Sequence, residues 1–191
     1  MNRTKIINFI INKFDYKKYL EIGCSRDGNF KKINIEKVGV DPVKGGTIRK
    51  TSDEFFKDNQ DNFDIIFIDG LHYAEQVYRD IVNSLSILND NGTIVVHDCN
   101  PLSYSSQVVP KPRWPRDWNG NVWKGWLRLR CENKELEMFV VNADNGCGII
   151  RRGKQDLINK WDIKYEEFEK EKNKLLNIFS VEEFMNYFKQ I

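Results

Sequence analysis

A chain of 191 residues, 40% apolar and 30% charged, is long enough for one domain, residues 1–191, with a full hydrophobic core. Its formal net charge of +2 gives no general basis for nucleic-acid binding, and no apolar run nears the roughly 20 residues that span a bilayer. Cys24, Cys99, Cys131 and Cys147 are far apart and form no C-x-x-C pair, which points to reduced thiols in a cytoplasmic protein without a zinc site.

Ile6, Ile7, Ile10 and Phe14 share one face of an opening helix, and Met1 to Phe14 lacks a signal peptide's cleavage pattern. Lys17 to Ile22 reads as a short buried strand that runs into a glycine-bearing turn. Gly23 and Gly28 allow a sharp turn and close approach to a ligand, with Ser25 and Arg26 between them. A short helix is expected over Asp27 to Asn34, its N-terminus offering unpaired N–H groups to a polar or anionic ligand. Lys37 to Val40 is a second strand, ended by Asp41-Pro42. A third strand is expected near Thr47 to Lys50, with a loop or single turn in place of a crossover helix. Thr51 to Glu54 has capping-box spacing for the helix that follows.

Phe63 to Ile68 is a continuous apolar run closed by Asp69-Gly70, the pattern of a central strand. A helical face with Val77, Ile81, Leu85 and Leu88 covers Tyr73 to Leu88. Asn89 to Gly92 breaks it, and Thr93 to His97-Asp98 is the fifth strand. Asn100 to Asn121 is too long for an ordinary connection and reads as a functional loop or lid. Trp114, Trp118, Trp123 and Trp126 lie in or just after it, with Lys111, Arg113, Arg116 and Lys124. These could form an acceptor site, aromatic faces stacking on sugar rings and Arg holding anions, or the loop could pack on itself. Val122 to Cys131 can be helical. Leu136 to Val141 and Gly146 to Arg151 form a hairpin about Asn142 to Asn145. Asp156 to Trp161, Tyr165 to Ile178 and Val181 to Ile191 are expected to be helical, with Phe184, Phe188 and Ile191 on one face.

Repeated strand–helix units imply a Rossmann-like, doubly wound α/β sheet of seven strands, mostly parallel, with an antiparallel terminal hairpin and C-terminal helices. In such a sheet Asp41, Asp69 with His72, and His97 with Asp98 all emerge on the edge beside the glycine turn. Glu21-Ile22-Gly23 followed by Gly28 resembles motif I of class I S-adenosylmethionine-dependent methyltransferases. Asp69, His72 and the His97-Asp98 pair resemble metal-dependent sugar O-methyltransferases of the macrolide type and broader glycan-modifying families.

The resemblance implies methyl transfer to a hydroxyl of a small molecule, glycan or glycoside. It implies cofactor contacts by Glu21, Gly23, Ser25, Gly28, Asp41, Ser52, Asp53 and Asp69, with Asp41 on the ribose and Ser52 or Asp53 near the adenine. His72 would be the general base, working with Asp69. Asp69, His97 and Asp98 would hold a divalent cation, Mg or Mn. His97 stands where the family pattern has an acid, so it could instead be a neutral imidazole held in the core. A nicotinamide-dependent oxidoreductase, or a non-catalytic protein that binds a nucleoside or a partner, are the rival readings.

Overall fold

The computed structural model describes residues 1–114 and 117–190; Pro115, Arg116 and Ile191 lie outside the described residues. The sheet contains β1 (Lys18–Ile22), β2 (Glu36–Val40), β3 (Phe63–Ile68), β4 (Leu88–Val96), β5 (Leu136–Val141), β6 (Cys147–Arg152) and β7 (Ile178–Phe179). Their order is β2-β1-β3-β4-β6-β5-β7. Only β6 runs antiparallel to its neighbours. The helices are α1 (Arg3–Phe14), α2 (Ser52–Asp58), α3 (Ala74–Ser86), α4 (Tyr104–Gln107), α5 (Val122–Glu132), α6 (Tyr165–Leu176) and α7 (Val181–Gln190).

Strand residues alternate between two cores, as a period of two requires. Leu20, Ile22, Ile66, Ile68, Ile94 and Val96 pack with residues of α3, α5 and α6. Tyr19, Ile65, Phe67 and Val95 pack with α1 and α7. Both faces are covered, which is why Phe63 to Ile68 had to be almost wholly apolar. On α5, Trp126 lies so close to Gly148 of β6 that a Cβ there would come within 2.3 Å of the indole. Trp123 stacks on Phe168 of α6 at 4.2 Å. Both indoles are 0% exposed. They build the core and line neither cavity described below, so these two of the four tryptophans do not form the acceptor site that was one of the two readings of the cluster.

Several expected elements differ. Asp27 to Asn34 holds one 3-10 turn, Phe30–Lys32, and no α-helix. Ser25 and Asp27 adopt φ of 48° and 62°, outside the helical region, and the Asn29 side chain is drawn inward onto Tyr19 and Glu21. No helix N-terminus therefore faces the cleft at this turn. The third strand is reduced to one bridge, Val40 to Ile48, because Gly45 and Gly46 turn the chain and both Thr47 and Ile48 donate to the Gly39 carbonyl.

The seventh strand comes instead from the C-terminal region. Asn177 ends α6 in a left-handed conformation and donates from Nδ2 to the Met138 carbonyl at 3.0 Å, which lays Ile178–Phe179 beside β5. Residues Asp156 to Trp161 form no helix. β4 begins at Leu88, and Asn89 to Gly92 bulge from its register before Thr93 pairs with Ile65.

Candidate active site

Two cavities open at the C-terminal ends of β1 to β4. The first, about 580 Å³, is lined by Ser25, Asp41, Ser52, Asp53, Leu71 and Gln76 among others. The second, about 800 Å³, is lined by Arg3, Glu21, His72, His97, Asp98 and Asp144 among others. Gly23, Ser25, Asp69 and Gly70 line both, so the cavities meet at a neck between the ends of β1 and β3. Gly23 is required there. Its φ is 89°, and a Cβ would stand 2.2 Å from the Asp69 carbonyl. Gly28 has no such reason to be glycine, since a Cβ would meet open space; it lines only the second cavity.

The first cavity is organised by Asp41. Its Oδ2 accepts from the Ser25 amide at 2.8 Å, and its Oδ1 from the amides of Val43 and Lys44 at 2.8 and 2.9 Å. Burial raises this carboxyl, but the three N–H donors outweigh it and hold it below the ordinary range. The carboxylate thus ties the glycine turn to the loop after β2, a role not foreseen for it. Thr51, which also lines this cavity, forms the expected capping box with Glu54. Gln76 Nε2 reaches Ser52 Oγ, Asp53 Oδ1 and Asp80 Oδ1 at 3.1, 3.2 and 2.9 Å. Asp80 is fully buried, and burial pushes it up to about 6. Glu21 lies beneath the turn, accepting from Tyr19 Oη and from Asn29 Nδ2 at 2.9 Å; burial pushes it up to about 7.

The second cavity is a knot of charges. His72 follows β3, with Nε2 3.3 Å from Asp69 Oδ1. Its Nδ1 lies 3.2 Å from the Trp118 carbonyl and 3.3 Å from Asp98 Oδ2. A carbonyl only accepts, so the network assigns the Nδ1 proton and leaves Nε2 as the nitrogen that gains or loses one. Burial opposes charge on His72, but Asp69 and Asp98 prevail and raise it above an ordinary histidine.

His97, 3% exposed, lies at ion-pair distance from Asp98 Oδ2 (3.0 Å), Asp69 Oδ1 (3.3 Å) and Asp144 Oδ1 (3.7 Å). Burial disfavours its charge, yet the three carboxylates push it up to about 12. Asp69 is raised by burial but held far below the ordinary range by the two histidines.

Three participants carry no signal in the sequence. Arg3 reaches in from α1: Nη1 donates to Asp69 Oδ2 at 2.6 Å and Nε to Asp144 Oδ2 at 2.9 Å. Asp144, at the tip of the β5–β6 hairpin, reads in sequence as an ordinary turn residue. His97 and Arg3 hold its carboxyl far below the ordinary range. Asn119, 1% exposed, donates from Nδ2 to Asp98 Oδ1 at 2.8 Å. Its neighbours complete the tie between the long loop and His72. Trp118 stacks on His72 at 5.1 Å, and the Asn121 amide donates to the His72 carbonyl. Trp114 is 63% exposed and lines neither cavity.

Asp69, His72 and Asp98 can each present a ligand atom within 4.8 Å of the others. This set exchanges the expected His97 for His72. Arg3 already holds Asp69 Oδ2, and His97 lies against Asp69 and Asp98, so a divalent cation drawing on Asp69 would have to compete with Arg3.

Residues 25–99 match a family model described as a methyltransferase domain. No curated protein matches the sequence. Among solved structures, a putative caffeoyl-CoA O-methyltransferase from Staphylococcus aureus is similar at 16% identity and a TM-score of 0.59, over 80% of this chain and 85% of that one. Podospora anserina methyltransferase PaMTH1, solved with S-adenosylhomocysteine, is similar at 14% identity and a TM-score of 0.57, over 81% and 78%. The O-methyltransferase TomG of Streptomyces achromogenes, involved in tomaymycin synthesis and solved with S-adenosylmethionine, gives 11% and 0.54, over 79% of each chain.

The sheet is thus Rossmann-like, as in the solved methyltransferases that it resembles. The match to the methyltransferase-domain model covers the segment from the glycine turn to just past the end of β4.

Proposed function

We propose that the chain transfers a methyl group to an oxygen, with the donor's nucleoside in the first cavity and the acceptor in the second. The observation that carries this reading is the neck at Gly23 and Asp69, where a reacting atom can be reached from both sides. A cavity of about 580 Å³ is in the ordinary range for a ligand of nucleoside size. Asp41 and Ser52 both line it, in keeping with roles toward ribose and adenine. Bound there, S-adenosylmethionine supplies an electrophilic methyl whose sulfur keeps the electron pair of the broken bond. His72 Nε2 takes the proton of the acceptor hydroxyl as the oxygen–carbon bond forms. Asp98 and the Trp118 carbonyl hold the ring by Nδ1, and Asp69 stabilises the imidazolium that results.

Within O-methylation, a polyhydroxylated acceptor of the sugar type suits the second cavity best. Its wall carries Arg3, Lys111, Asp117, Asp144 and Asn145, and its one indole, Trp118, is stacked on His72. Loop residues 100–121 would serve as the acceptor-side lid. Four free cysteines, three of them buried, suit a reducing cytoplasm. The reading is tested with labelled S-adenosylmethionine and two acceptor panels, sugar glycosides and catechols. Transfer to glycoside oxygen supports it, and transfer to catechols alone rejects the sugar. A thermal shift with NAD but none with S-adenosylhomocysteine would favour the oxidoreductase.

A further inference from the structure

Three carboxylates converge beside the neck, and the chain supplies its own cations to face them. The Arg3 fork bridges Asp69 and Asp144, with Nη1 at 2.6 Å from the first and Nε and Nη2 at 2.9 and 3.3 Å from the second. The Arg3 backbone amide adds a fourth contact, to Asp144 Oδ2 at 2.8 Å. A guanidinium is planar and always charged, so such a bridge sets both distance and charge. His97 lies behind, against the same two carboxylates and Asp98.

We infer that Arg3 stands in place of a divalent cation: it is a built-in counter-charge that positions Asp69 and lets this methyltransferase work without a metal. Arg3 places a permanent positive charge against two of the three carboxylates. The carboxylates in turn complement a sulfonium at the neck, the point at which the inference rests on the proposed reaction. A divalent cation would have to compete with Arg3 for Asp69. The donor triad Asp69, His72 and Asp98 is therefore a site that Arg3 keeps closed.

The test is a titration of the whole chain with Mn²⁺, following the free ion by electron paramagnetic resonance. The wild type should bind weakly. Arg3→Met should bind at least about tenfold more tightly, because a like charge close to the ion is gone. Adding Asp98→Asn should remove that gain, which places the ion in the cluster. Arg3→Lys keeps the charge without the fork and should bind as weakly as the wild type. Wild-type binding as tight as that of Arg3→Met overturns the inference, as does an equal gain in Arg3→Lys. Loss of wild-type methyl transfer in EDTA, restored by Mg²⁺, also overturns it. If Arg3→Met does not fold, the wild-type titration still decides: tight Mn²⁺ binding overturns the inference and weak binding supports it. Calorimetry with S-adenosylhomocysteine on the same samples reports on the methyltransferase reading separately, since it involves no ion.

Discussion

The two cavities are built by opposite means. The first is made from neighbours in the chain: Asp41 binds the amides of Ser25, Val43 and Lys44, and the capping box of Thr51 and Glu54 starts the facing helix. The second is made from side chains that no local pattern links, with Arg3 held to Asp144 across 141 positions. The first is shaped by backbone donors, which any sequence has; the second by charge, which only particular side chains supply. On the proposed reading, donor binding depends on loop geometry, and chemistry on long-range electrostatics.

Four substitutions sharpen that contrast, from the largest expected effect to the smallest. His72→Ala should lower turnover by roughly 10²- to 10⁴-fold, the range for a lost general base, and leave S-adenosylhomocysteine affinity nearly unchanged. Equal losses in both would mean that the cavities are not separable. Asp41→Ala should weaken S-adenosylhomocysteine by about tenfold or more, since hydrogen bonds to a charged group contribute roughly 1.5–3 kcal/mol each. Unchanged affinity by calorimetry in a folded variant would remove Asp41 from the donor site.

Glu21→Gln tests the buried carboxyl beneath the turn. Its folded pKa, about 7, is above the ordinary 4.5, so ionisation opposes folding as pH rises between those values. The variant should be more stable on the order of 1–2 kcal/mol at pH 8, and the gain should vanish below pH about 4.5. Denaturant melts at the two pH values check this; a gain that persists in acid would point to packing instead. Ser52→Ala should be mildest, losing one neutral hydrogen bond worth about 0.5–1.5 kcal/mol, with donor affinity down by less than about tenfold. A far larger loss would make Ser52 a principal donor contact.

The same division decides what could be read from the chain. Asp41, Asp69, His97 and Asp98 were legible because each closes an apolar strand, and parallel strands bring their ends to one edge. Thr51 and Glu54 were legible from spacing alone. Arg3 was not, because a cation in the first turn of an amphipathic helix looks like any solvated residue. Asp144 and Asn119 looked like turn and loop residues. The helix after Gly23 was wrongly expected because the glycine turn usually leads into one; here Asp41 claims the Ser25 amide, and Ser25 and Asp27 turn left-handed. The third strand failed where two consecutive glycines reverse the chain, and the two-residue β7 is too short to show an alternation.

The bridge from Arg3 to Asp144 also bears on synthesis. A ribosome releases α1 long before the hairpin that carries Asp144 has been made. Contacts between such distant segments form late, after the loop between them closes. Until then Arg3 and His97 lack Asp144, and the charge cluster is incomplete. The lining of the first cavity lies wholly within residues 22–76 and takes nothing from the hairpin. Translation that stops between α5 and β6 would yield a chain that holds that lining but lacks Asp144 from the second cavity.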